Sequence, residues 1–198
     1  DNDGRLDLIL ANGHPDDMIE LYSQQVKYKE PLLLFHNDNG TLKNVSADAG
    51  PAFSRSFPAR GLSIGDYDND GRVDVLVANN GGAPVLLKNN AGGGNHWAGV
   101  LLQGTKANRD AVGARVTWSA DGVRRSRLKT NGGSYLSSHD PRIVLGLGTA
   151  SKLDYVEVKW PGPSTLTERF EVPLERYTTL VEGKGKPIEA KPAAAKKG

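Results

Sequence analysis

Nine consecutive residues, Asp66-Tyr67-Asp68-Asn69-Asp70-Gly71-Arg72-Val73-Asp74, carry four carboxylates and a carboxamide. Side chains of that type at that spacing do one kind of chemistry well: they surround a hard cation with oxygen. Four like charges held close together repel, and a divalent ion relieves the repulsion. Ca²⁺ accepts roughly six to eight oxygen ligands in a flexible cage. Gly71 permits the sharp bend that turns the early carboxylates and a later backbone carbonyl toward one centre. The loop reads as a calcium site. Mg²⁺ suits it less well, because that ion keeps its waters and avoids crowded protein cages.

The chain opens on the same pattern. Asp1-Asn2-Asp3-Gly4-Arg5-Leu6-Asp7 matches Asp68-Asn69-Asp70-Gly71-Arg72-Val73-Asp74 in register, and LDLILAN (6–12) continues the match to VDVLVAN (73–79). The first copy has no counterpart of Asp66 and no initiator Met precedes it, so the expectation is a piece of a longer protein that starts inside a metal loop. An EF-hand or dockerin loop needs an acidic residue at its twelfth position. Counted from Asp66, that position is Val77, and its equivalent in the first copy is Leu10, which excludes the EF-hand. A metal-free Asp/Gly turn is the plain alternative, and two copies in one register argue against it.

Strands must position these loops. Each loop runs into a strand rich in Leu and β-branched residues, then a turn, then a second strand: PLLLFHNDNG (31–40) and APVLLKNNAG (83–92). The first repeat carries an insertion, Asp16 to Glu30, whose Met18, Ile19, Tyr22 and Val26 have roughly helical spacing; it reads as a short helix or ordered loop. TLKNVSADAG (41–50) gives an outer strand, and ARGLSIGDYD (59–68) leads into the next loop. Strand, loop, strand, turn and strand is the unit of a propeller blade, and self-similarity at a fixed period marks a repeat architecture. A propeller closes with about four blades or more, so residues 1–92 form partial blades and the remaining ones are expected upstream. After the GGGN stretch at 92–95 the texture changes. HWAGVLLQG, GARVTWSAD, VRRSRLKTN, RIVLGLG, DYVEVKW, ERFEV and TTLVEG read as about seven strands of a second domain, 93–183, with a β-sandwich or barrel fold. The fold class is all-β.

The formal net charge of the 198 residues is +2, but the segment from Lys184 to Gly198 holds five Lys and one Glu. Without that +4 the body is near −2, which argues against a nucleic-acid surface. The segment 184–198 reads as a disordered tail. With no cysteine, disulfides, thiolate zinc sites and thiol nucleophiles are excluded. No apolar run approaches the ~20 residues of a membrane span.

The DNDGRLD and DYDNDGRVD loops, each followed by a strand and an Ala-Asn turn, resemble FG-GAP (VCBS) repeats. NRDAVGARV (108–116), GGSYLSSHDPRIVLGLG (132–148) and VEVKWP (156–161) resemble the ASPIC/UnbV domain, which commonly follows such repeats in exported bacterial proteins. The ANGH segment at 11–14 with its insertion is also similar to the family's last repeats. The resemblance implies blades of an integrin-α-type β-propeller with Ca²⁺ in each Asp loop. It implies ligation by Asp66, Asp68, Asp70 and Asp74 with the carbonyl of Arg72. In the first loop it implies Asp1, Asp3 and Asp7 with the carbonyl of Arg5. It supplies no catalytic residue.

Other chemistry-bearing residues read more simply. His14, His36, His96 and His139 share no metal-ligand spacing. Ser137-Ser138-His139-Asp140 before Pro141 reads as a polar turn rather than a nucleophilic cluster. Asn108-Arg109-Asp110 reads as a turn pinned by an Arg–Asp pair, and Arg124, Arg125 and Arg127 as a solvated strand face. Trp97, Trp118 and Trp160 would suit sugar stacking, but lie in strands where core packing is the commoner role. The expected function is a non-enzymatic, extracellular or periplasmic interaction or adhesion module with structural Ca²⁺ and a protein or glycan partner. A carbohydrate-binding module, or the accessory region of an exported carbohydrate-active enzyme, is the alternative. Neither nucleic acid nor membrane insertion is expected.

Overall fold

Short apolar runs separated by Gly, Asn and Pro turns pair into hairpins throughout the chain. The computed structural model describes residues 1–91, 93–164 and 166–188. Eight strands come first: β1 (Leu8–Leu10), β2 (Glu30–Pro31), β3 (Leu33–Asp38), β4 (Thr41–Asn44), β5 (Ser56–Phe57), β6 (Ala59–Gly65), β7 (Asp74–Asn79) and β8 (Val85–Leu87). They are followed by β9 (His96–Gln103), β10 (Arg115–Ala120), β11 (Val123–Leu128), β12 (Gly133–Ser134) and β13 (Ser137–Ser138). The last are β14 (Ile143–Gly148), β15 (Tyr155–Lys159), β16 (Thr167–Phe170), β17 (Tyr177–Val181) and β18 (Lys186–Pro187). The protein is all-β, with helix confined to three 3₁₀ turns among the described residues.

Two compact units form. The first comprises Asp1–Asn95 with Asn131–Asp140. It holds two antiparallel three-stranded sheets, ordered β1-β3-β4 and β6-β7-β8, in which the two strands after each Asp loop, β1-β3 and β7-β8, pair alike. Leu32, Phe57, Ala59 and Val77 are buried together, with Val75, Val85 and Leu87 packed around them. The insertion within the first repeat has one 3₁₀ turn, Ile19–Leu21, and runs as loop until Lys29 bridges Gly13 and Glu30 enters β2.

The second unit comprises His96–Thr130 and the chain from Pro141. All seven strands expected there from periodicity form. One sheet is ordered β11-β10-β15-β16-β18; the other is ordered β14-β9-β17, with β17 parallel to β9. Alternate residues of four strands supply one shared core: Ala98, Val100 and Leu102; Val116 and Trp118; Leu145 and Leu147; Val156 and Val158. Alternate residues share the core because successive side chains of a pleated strand point to opposite faces, and two sheets over one core make a sandwich rather than a closed barrel. Gly99 has no side chain because the Tyr177 ring fills its place: a Cβ there would lie 2.2 Å from Tyr177 Cδ1.

Two boundaries differ from the sequence expectation. Asn131–Asp140 joins the first unit, because Ser63 Oγ donates to Ser138 O at 2.5 Å and the Asp140 amide donates to Ile64 O at 2.9 Å. The segment from Lys184 does not begin as disordered tail. Lys186–Pro187 pairs with β16, and Glu168, itself buried, accepts the Gly183 and Gly185 amides. The rest of the expected tail, from residue 189, lies outside the described residues.

Candidate metal centre

Gly65 pairs with Asp74, so β6 and β7 clamp both ends of the loop 66–73. Within it Asn69 has φ 63° and Gly71 φ 84°, and the first loop repeats this geometry with Asn2 at 62° and Gly4 at 88°. Gly and Asn are the residues that adopt left-handed backbone most readily, so the shared Asn-Asp-Gly spacing becomes a shared bend. The carboxylates then fold the loop around themselves. Asp66 Oδ1 accepts the Asp70 amide at 3.1 Å and its Oδ2 the Gly71 amide at 2.7 Å. Asp74 Oδ2 accepts the Tyr67 amide at 3.1 Å, and its Oδ1 accepts the Asn89 amide at 2.8 Å.

Asp66, Asp68 and Asp74 each bring a carboxylate oxygen to within 4.8 Å of the others. Asp66 and Asp74 are only 1% and 2% exposed, which sets this cluster apart from ordinary surface acids. Burying a carboxylate is costly unless its oxygens are satisfied by hydrogen bonds or a cation. Asp70 does not join the trio. It turns to Arg72, accepting the Arg72 amide at 2.9 Å and its guanidinium NH₂. Lys88 Nζ lies 2.5 Å from Asp68 Oδ2 and 3.9 Å from Asp70 Oδ2. The hydrogen bond from Lys88 is the main cause that holds the Asp68 carboxyl below its ordinary range, and the same bond raises the Lys88 ammonium. Arg72 and Lys88 thus offset two of the four negative charges in the absence of a divalent cation. An all-carboxylate oxygen set of this kind fits a hard ion.

The first loop gathers Asp1 and Asp3 with His36, not with Asp7. Asp7 Oδ1 accepts the Asn37 amide at 2.8 Å and lies 3.2 Å from His36 Nδ1. Arg5 engages Asp3 at 2.7 Å as Arg72 engages Asp70. The two loops touch directly, Asn2 Nδ2 donating to Gly71 O at 3.0 Å. His36, Lys88, Asn37 and Asn89 are the residues that reading the loops alone misses. A signal for them exists: aligning the two second strands places His36 over Lys88 and Asn37 over Asn89.

The remaining candidates resolve as structure. Trp97, Trp118 and Trp160 are all buried, with Trp118 Nε1 donating to Gly146 O at 3.2 Å and Trp160 Nε1 to Glu168 Oε2 at 2.6 Å. Their faces are not available for sugar stacking. The turn at Asn108 is not pinned by an Arg109–Asp110 pair. Asn108 closes it by itself, its Nδ2 donating to Val112 O at 2.9 Å and its Oδ1 accepting the Val112 amide at 2.8 Å. Just before it, buried Glu182 Oε2 accepts the amides of Thr105, Lys106 and Ala107, each at 2.8 Å. His139 packs on Gly133 and accepts a long hydrogen bond from the Ile64 amide, so the Ser-Ser-His-Asp segment serves to dock β12 and β13 on β6. Arg127 is half-buried rather than solvated.

Two family models match this chain: FG-GAP-like repeat over residues 1–77, and ASPIC and UnbV over residues 104–187. Cartilage acidic protein 1 from Homo sapiens is 23% identical over 163 residues, covering 78% of this chain and 24% of that protein. The Mus musculus protein of the same name is also 23% identical, with 25% of its length covered. The chain therefore spans about a quarter of the length of these relatives. Asp loops, blade-like sheets and sandwich follow one another in the order of these matches: the chain is similar to an FG-GAP-like repeat in its first part and to an ASPIC and UnbV domain in its second.

Proposed function

We propose that this chain is a non-enzymatic, extracellular or periplasmic interaction module in which Ca²⁺ holds the Asp loops of the repeat region. The observation that carries the reading is the meeting of Asp66, Asp68 and Asp74 within 4.8 Å, two of them buried, in a loop whose bend is repeated at Asn2 and Gly4. Calcium supplies positive charge to a carboxylate cluster, and the chain's own residues place the ligands through the amides of Asp70, Gly71, Tyr67 and Asn89. Sites of this kind fill in a calcium-rich exterior better than in a cytosol. No helix among the described residues is long and apolar enough to cross a membrane.

Contacts with a partner fall to the loops, which a rigid β scaffold presents. The insertion exposes Met18, Leu21 and Tyr22, and the turn between β12 and β13 exposes Tyr135 and Leu136. The test is calorimetric titration of Ca²⁺ into chelator-stripped protein, beside Asp66→Asn. Saturable binding that the variant loses supports the reading. No heat, with equal melting curves in EDTA and in millimolar Ca²⁺, refutes it.

A further inference from the structure

Lys88 follows β8 and precedes Asn89, and Asn89 is itself anchored to the metal loop. Its amide binds Asp74 Oδ1 at 2.8 Å and its Nδ2 binds Val73 O at 3.1 Å. The backbone of Lys88 is therefore fixed one residue from the site, and its ammonium reaches Asp68 at 2.5 Å and Asp70 at 3.9 Å. The first repeat has the same construction. Asn37 binds Asp7 Oδ1 through its amide at 2.8 Å and Leu6 O through Nδ2 at 3.0 Å. The preceding His36 turns its Nδ1 to Asp7 at 3.2 Å and Asp1 at 3.6 Å. One position, used twice, brings a basic nitrogen to an Asp loop. Arg72 serves a different purpose, since it engages Asp70, which is outside the trio, whereas Lys88 engages a trio member.

We propose that Lys88 is a tethered counter-cation of the Asp66–Asp74 loop, competing with the divalent ion for the Asp68 carboxylate. The inference rests on the calcium reading of that loop. In the ion-free protein the ammonium offsets part of the carboxylate repulsion and keeps the loop folded. When the ion binds, Asp68 must exchange Nζ for it, and the displaced ammonium stays nearby as a repelling charge. Lys88 therefore weakens calcium binding and stabilises the ion-free state at the same time, which a surface ion pair unconnected with the metal would not do. A unit charge within about 5–6 Å of a divalent ion in water-like surroundings changes its affinity by roughly tenfold.

The experiment uses the full chain with Lys88→Met and Lys88→Arg, measuring Ca²⁺ affinity by calorimetry and melting temperature in EDTA. Lys88→Met is expected to bind Ca²⁺ roughly tenfold more tightly and to melt lower without the ion, with Lys88→Arg close to wild type in both. Equal affinity in wild type and Lys88→Met overturns the inference and leaves the calcium reading standing. Tighter binding in Lys88→Arg as well as Lys88→Met also overturns it, because charge is then not the cause. Binding by none of the three proteins refutes the calcium reading itself.

Discussion

Replacing Glu182 by Gln tests the energetics of the second unit most directly. Glu182 is 2% exposed, and burial by itself would raise its carboxyl. The Ser164 hydroxyl and the amides of Ala107, Thr105 and Lys106 outweigh that effect and lower it from an ordinary 4.5 to about 2. A depressed carboxyl stabilises the fold above the unfolded-state value, and that contribution drains away as pH falls toward the folded value. A displacement from 4.5 to about 2 corresponds to about 3 kcal/mol at neutral pH. Gln keeps one acceptor oxygen but loses the charge, so the variant should be less stable by about 2–3 kcal/mol at pH 7. The gap should be undiminished down to about pH 5, then close by about 1.4 kcal/mol per pH unit between the two carboxyl values. Urea denaturation followed by tryptophan fluorescence reads this cleanly, because Trp97, Trp118 and Trp160 all lie in the second unit. A difference that stays constant from pH 7 to pH 3 would refute the reasoning, since shape rather than charge would then carry the effect.

Other outcomes follow from the same contacts. At free Ca²⁺ a hundredfold above its dissociation constant, the first unit should gain about 2.7 kcal/mol over its value in EDTA, measured by far-ultraviolet circular dichroism, with Mg²⁺ giving a smaller gain. Gly99→Ala places a methyl against the Tyr177 ring, which also lies tilted against Trp97 and under Arg142. It should cost about 1–3 kcal/mol, seen as a lower melting temperature; an unchanged one would mean that the ring moves aside freely. Trp118→Phe removes the donor to Gly146 O and part of a filled core. A loss of about 1–3 kcal/mol in urea denaturation is expected.

The Asp loops and the strand content are legible in sequence because each is written locally. Asp at alternate positions with Asn and Gly between them encodes a bend through the φ preferences of two residues, and period-two apolar alternation encodes a one-sided strand. Family resemblance adds the order of the parts, and the matches over 1–77 and 104–187 agree with it. What only tertiary structure decides involves partners far apart in the chain. Lys88 reaches Asp68 across 20 residues of chain. The docking of Asn131–Asp140 on β6 rests on Ser63 and Ser138, 75 residues apart, and β17 runs parallel to β9 through a register no turn specifies. Likewise the turn before Asn108 is fastened by Glu182, up to 77 residues away. Apart from Lys88, whose place the aligned second strands mark, such pairings leave no period or spacing in the chain, because their free energy comes from desolvation and hydrogen bonding that exist only once the sheets have formed.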